Sequence, residues 1–238
     1  MSLGEVLERI ADDVVATQPP LDREMGLLVT VAAAMVVVVP GTWSVARHLL
    51  TIVHEGGHAA AALVSGRRLA GIRLHADTSG LTVSKGRSRG PGMVATAFAG
   101  YPAPAVVGLG VAFLVSLERD LLALWAGLLV LSLLLLQIRN FYGLYIMLVA
   151  AVLLVGVTWW GSPEVQGVAA WGLASFLLLG APRAVVELQV ARRRSRGRTS
   201  DADVLARITP LPATVWVGVM LLLTVGCAAA GALLLLRG

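Results

Sequence analysis

Five consecutive residues, His54-Glu55-Gly56-Gly57-His58, combine the side chains that zinc hydrolysis needs at a spacing that a helix can use. On a helix, positions i and i+4 project from one face a turn apart, so two imidazoles can grip one ion. Zinc takes His nitrogens at about 2.0 to 2.1 Å and in catalytic sites usually adds a third protein ligand and a water. The metal lowers the pKa of that water towards roughly 7, and an intervening Glu receives its proton and passes it to a leaving amine. Glu55 fits that role as catalytic base. Gly56 and Gly57 each cost about 1 kcal/mol of helix stability relative to Ala, which suggests a bare helix face that a substrate backbone approaches.

The competing reading makes these residues a structural core trio, hydrogen-bonded to neighbouring helices. Chance alone gives a His-Glu-x-x-His in a chain of this His and Glu content with a probability on the order of 0.002. The surrounding run is apolar, and an ionisable side chain near a bilayer centre costs about 2.5 to 3.5 kcal/mol on insertion scales. Both arguments favour a metal site. His48 lies six residues before His54, roughly 240° around the helix, and faces elsewhere. His75 falls in a segment of different composition and lacks ligand spacing.

The elements that must position the motif belong to a membrane protein. Of 238 residues, 57% are hydrophobic and 14% charged, and the mean hydropathy is +0.82, so a water-facing surface cannot be built. A span needs roughly 20 apolar residues. Candidate spans lie at 26–40, 43–64, 93–117, 121–138, 141–160, 165–181 and 213–236, the fold expected being all-α and polytopic with six to seven transmembrane helices. The first two are expected to pair as an antiparallel hairpin around Pro40-Gly41. Between Ser65 and Gly92, Ile72, Leu74, Leu81 and Val83 alternate with polar residues around Asp77-Thr78-Ser79-Gly80, the pattern of a small β-hairpin. Cys227 is the lone cysteine and excludes an internal disulfide framework.

The net charge of +5 does not indicate nucleic acid, because the basic residues gather beside apolar runs with almost no aromatic interleaving. Arg67, Arg68, Arg73, Lys85, Arg87 and Arg89 fall within 65–92, and Arg183, Arg192, Arg193, Arg194, Arg196, Arg198 and Arg207 within 183–212. Both segments are expected to be cytoplasmic loops. Seven spans then place the N-terminal segment 1–25 inside as well, and the last helix, 213–236, ends outside. Residues 1–21 carry Glu5, Glu8, Asp12 and Asp13 without the basic-then-apolar pattern of a cleaved signal. A single lysine beside abundant Ala, Val, Gly and Arg hints at a bacterial source, hence a plasma membrane.

The membrane-embedded motif, the β-hairpin directly after it, and the Ala99-Gly100-Tyr101-Pro102-Ala103-Pro104 segment of the third span resemble the site-2 protease family of intramembrane zinc metalloproteases. The likeness covers roughly residues 43–145. It implies zinc on His54 and His58, a membrane protein or peptide as substrate, and a third ligand from an Asp on a later helix in an Asn-x-x-Pro and Asp-Gly type motif. This chain departs there: Asn140 is followed by Phe141-Tyr142-Gly143, and no acidic residue appears again until Glu164. It is more similar to a divergent bacterial branch with a Ser-Asp-Ala segment before the last helix, here Ser200-Asp201-Ala202-Asp203.

Asp77, Asp201 and Asp203 lie on the expected cytoplasmic side and are the candidates for the third ligand. Ser200 to Asp203 has capping-box spacing, which occupies Asp203 and leaves Asp201 as the first choice. The competing role for Asp201 is a first-turn charge worth about 0.3 to 1 kcal/mol through the helix dipole. The hairpin edge fits strand addition by an extended substrate, as the resemblance also implies, and Arg192-Arg193-Arg194 fits anionic lipid. The rival to a protease is a non-catalytic scaffold or a metal-handling transporter, favoured by the missing Asp-Gly motif.

Overall fold

A computed structural model describes residues 2–194 and 199–237. Arg196 and Arg198 of the basic stretch lie outside the described residues. The helices are α1 (Leu3–Val15), α2 (Arg23–Val38), α3 (Pro40–Val64), α4 (Pro91–Ala99), α5 (Pro102–Ser116), α6 (Asp120–Leu135), α7 (Phe141–Trp160), α8 (Pro163–Arg194), α9 (Asp201–Ile208) and α10 (Ala213–Arg237). Strands β1 (Arg68–Leu74) and β2 (Gly80–Lys85) form the expected antiparallel hairpin, with Ile72 opposite Thr82 and an irregularity between Leu69 and Gly71.

Three helices, α7, α8 and α10, are each long and apolar enough to cross a membrane. Two bent pairs, α2 with α3 and α4 with α5, raise the number to five if each pair is one span, and α6 is a shorter apolar helix. The first pair is not the expected antiparallel hairpin. Val39 is at once the C-cap of α2 and the N-cap of α3, Pro40 opens α3, and the two axes meet at 100° with no loop in which the chain could reverse. Pro suits the first helical position because it has no N–H to satisfy there. The second pair bends by 67° at Gly100-Tyr101, just before Pro102.

Helix α1 closes on a Ser2–Glu5 capping box and packs at the end of the bundle that carries the α5–α6 and α7–α8 turns. The Gln18 N–H donates to the Glu118 carbonyl at 2.9 Å, the Trp125 indole N–H to Asp13 at 3.2 Å, and the Arg9 guanidinium lies 4.1 Å from the Trp159 ring centroid. The hairpin, α9 and the C-terminal end of α8 occupy the opposite end. Helix α1 thus lies at the end of the bundle away from the hairpin and α9. Helix α8 also runs on to Arg194, so the first part of the expected loop 183–212 is helical.

The interior is densest where α5, α8 and α10 meet. Ala105, Ala112, Ala174 and Ala181 are fully buried there, and a Cβ on Gly231 would sit 2.4 Å from Leu178. Small residues let membrane helices approach closely, where dispersion replaces the absent hydrophobic drive. Helices α6 and α7 stand away from this centre across an apolar cavity of about 1770 Å³ bordered by Val107, Val130, Val149, Leu173, Gly56 and Gly57.

Candidate metal centre

Helix α3 carries the motif to the junction of α4, α5, α9 and the hairpin. His54 Nε2 and His58 Nε2 lie 3.1 Å apart, and Asp201 Oδ2 stands 3.3 Å from the first and 3.2 Å from the second. These three atoms form a nearly equilateral triangle. A tetrahedral ion with bonds of about 2.05 Å has ligand–ligand edges of about 3.3 Å, so the triangle has the dimensions of one face of a zinc site. Within the described residues, this is the group of His, Cys, Asp and Glu whose ligand atoms converge closely enough to hold a metal ion.

Local structure fixes each member. Helix α4 ends at Ala99, and the last four carbonyls of a helix lack internal partners. One of them, Thr96 C=O, accepts a 2.6 Å hydrogen bond from His58 Nδ1–H. That bond leaves Nε2 as the nitrogen with a free lone pair, the usual way in which a ligating imidazole is oriented. His54 packs edge-on against Tyr101, ring centroids 4.7 Å apart. At the break itself, a Cβ on Gly100 would lie 2.4 Å from His58 Nε2 and 2.7 Å from His54 Cε1, so only glycine leaves room for both rings. The donor set of two imidazoles and one carboxylate is one that zinc accepts.

Asp201 enters from α9, whose N-terminus is closed by the capping box predicted for Ser200 and Asp203. Its carboxyl is held well below the ordinary range: burial pushes it up, but hydrogen bonding and charge attraction to His54 and His58 pull it down further. Asp203, the alternative ligand, is directed elsewhere. Its Oδ1 accepts from Arg192 Nε at 3.1 Å and from the terminal Nη2 at 2.9 Å, and its Oδ2 accepts from the Ser200 hydroxyl at 2.5 Å and N–H at 3.3 Å. A carboxylate has about four lone-pair positions, and all four are taken. Asp77 is exposed in the hairpin turn, where Ser79 holds its carboxyl below the usual range by hydrogen bonds. It does not join the cluster.

Glu55 is 4% exposed and lies beneath β2. Its Oε2 accepts a 2.6 Å bond from the Thr82 hydroxyl, which also lies 3.2 Å from the Glu55 carbonyl. A Cβ on Gly80 would strike its carboxyl at 2.4 Å. The strand thus cradles the side chain. Its inner neighbour β1 is fastened to the α6–α7 turn: Ile72 N–H donates to Gln137 C=O at 2.8 Å, Arg139 N–H to Ile72 C=O at 2.9 Å, and the Asn140 amide exchanges two bonds with Leu74 at 2.7 and 3.2 Å. That pairing leaves the outer side of β2 as the edge of the sheet.

The remaining histidines are accounted for. His48 Nδ1–H donates to Val45 C=O and Nε2 accepts from the Tyr142 hydroxyl at 2.8 Å; His75 bonds Ser79. The motif glycines border the apolar cavity and also make room for close neighbours. A Cβ on Gly57 would lie 2.4 Å from Ala103 and 2.8 Å from the Ala99 carbonyl, and one on Gly56 would lie 3.1 Å from Leu134. They admit neighbouring helices. Sequence reasoning missed Thr82, Thr96, Gly100 and Arg192, whose parts depend on contacts 11 to 46 residues distant along the chain. The only local signal was the Gly100-Tyr101-Pro102 break.

No curated protein and no solved structure matches the chain. The family model described as Peptidase M50B-like matches residues 27–231, a span that includes the His54–His58 motif, the hairpin and Asp201. The chain belongs to this family, the site-2 protease family of intramembrane metallopeptidases.

Proposed function

We propose that the protein is a zinc-dependent protease that cleaves peptide bonds of membrane proteins within or near the bilayer, with His54, His58 and Asp201 as metal ligands and Glu55 as general base. The observation that carries the reading is the triangle of His54, His58 and Asp201, built from residues 147 positions apart at its widest and dimensioned for one ion. When bound, zinc supplies an activated water and polarises the scissile carbonyl. Glu55 would serve as the proton acceptor and return the proton to the departing amine. Thr82 holds the Glu55 carboxylate in place, and Thr96 keeps His58 in its ligating tautomer. The free edge of β2 offers backbone hydrogen bonds to an extended substrate segment, which is the conformation that peptide hydrolysis requires.

The end of the bundle that carries both basic segments is cytoplasmic on this reading, which puts the N-terminal segment on the opposite side of the membrane. Cysteines placed at Thr17 and Ser84 test it with a membrane-impermeant reagent on intact cells. Labelling at Thr17 and protection at Ser84 is the expected result, and labelling of both would break this topology.

Protein reconstituted in lipid with a membrane-spanning peptide tests the chemistry. Glu55→Gln should keep its zinc and lose roughly 10²-fold or more in hydrolysis, the usual scale for a missing general base. Asp201→Ala should hold zinc measurably more weakly and lose activity. Full hydrolysis by Glu55→Gln would end the protease reading, and normal zinc retention in Asp201→Ala would remove that residue from the ligand set.

A further inference from the structure

The third ligand comes from a weak element. Helix α9 has only eight residues, two turns, and isolated helices of that length are marginal. Ala202 and Leu205, both fully buried, seat it against Val185, Leu188, Ala213 and Val217. Apolar packing of this kind sets depth but leaves rotation about the helix axis soft. Rotation matters here. A side-chain oxygen about 5 Å from the axis moves by about 2.5 Å for a 30° turn, whereas a metal site tolerates about 0.2 Å.

Residues 201 and 203 are 200° apart on a helix, so Asp203 is directed away from the cluster that Asp201 enters. On that far side, Arg192 of α8 grips it. Both Nε and Nη2 of Arg192 bond the same Asp203 oxygen, and the other terminal nitrogen donates to Gln189 at 2.9 Å, which fixes the guanidinium plane. Asp203 is 5% exposed, and the Arg192 side chain 17%. The pair is nearly dry. Asp203 also closes the capping box that starts α9.

We propose that Arg192 is a positioning residue for the metal centre: by clamping Asp203 it sets the rotation of α9 and so delivers Asp201 to His54 and His58. This inference rests on the metalloprotease reading and adds to it a residue that approaches neither the metal nor the substrate. Arginine suits the task because its planar fork holds a carboxylate in a defined orientation, which the single ammonium of lysine does not.

Zinc affinity, measured by competition with a chromophoric chelator on the full chain in detergent, is the primary readout. Arg192→Ala is expected to weaken zinc binding by roughly 10- to 100-fold, the range found when groups that orient ligands are removed. Asp203→Asn should fall in the same range and guards against a folding failure of the first variant. Arg192→Lys should restore only part. The decisive comparison is Arg192→Ala in the Asp201→Ala background, where zinc affinity is expected to drop no further, because the clamp acts through a ligand already gone. An equal drop in both backgrounds assigns Arg192 a general structural role and overturns the proposal, as does wild-type affinity in both Arg192→Ala and Asp203→Asn. Wild-type protein that takes up no zinc overturns the metalloprotease reading itself; zinc uptake by the wild type with a failed cycle overturns only the clamp.

Discussion

The two sides of the candidate site are built to different standards. On the metal side, α8 buries fourteen of its 32 residues, and it is joined by α5 and α10 through alanines and glycines packed at contact distance. On the hairpin side, α7 buries three of 20, and α6 and α7 face a wide apolar cavity. The polar contacts follow the same division. Arg192, Asp203 and Ser200 form one bonded group on the first side and Asp201 with both imidazoles a second, the two joined through the backbone of α9, whereas the hairpin is tied to the α6–α7 turn by four backbone and amide bonds and to α3 chiefly by the hydroxyls of Thr51 and Thr82. A metal tolerates displacements of only about 0.2 Å, so its ligands need the dense side. A surface that admits a polypeptide has to give way, and loosely packed elements open at lower free energy.

The largest effect that would test this division is expected at Gly100. Gly100→Ala drives a methyl group into both imidazoles, and neither ring can retreat while Thr96 and Tyr101 hold them. Zinc content by metal analysis should fall below one tenth of the wild type, with hydrolysis falling alongside it. Normal zinc in this variant would mean that the metal side is softer than its packing indicates.

A smaller and differently directed effect is expected at Asn140. Asn140→Leu removes both bonds to Leu74 and strands that residue's N–H and C=O, at a cost of about 1 to 3 kcal/mol, visible as a lower unfolding temperature. Zinc content should stay unchanged. The KM for a membrane-spanning peptide should rise several-fold, because the sheet edge offered to substrate is no longer anchored. Loss of zinc in this variant would erase the distinction between the two sides.

How much of this was written in the sequence depends on range. The His54-Glu55-x-x-His58 spacing, the hairpin, the capping box at Ser200 and the last helix at 213 all rest on neighbours within a few residues, and each is found as expected. Local hydropathy likewise marks apolar runs without ambiguity, since a bilayer imposes one length scale on all of them. It cannot say whether two adjacent runs are two passes or one bent pass. The cap shared at Val39 and the proline after it set the 100° bend between them. Asp201 and Asp203 were likewise adjacent candidates to a reader of the sequence. Helical rotation separates them by 200°, and in the folded chain Asp203 meets Arg192 of a neighbouring helix while Asp201 meets the imidazoles. The chain itself determined the chemistry available and the segments that carry it. The tertiary structure decided which carboxylate meets the histidines, which glycines admit helices and which admit the rings, because those are contacts between elements whose relative rotation no local pattern encodes.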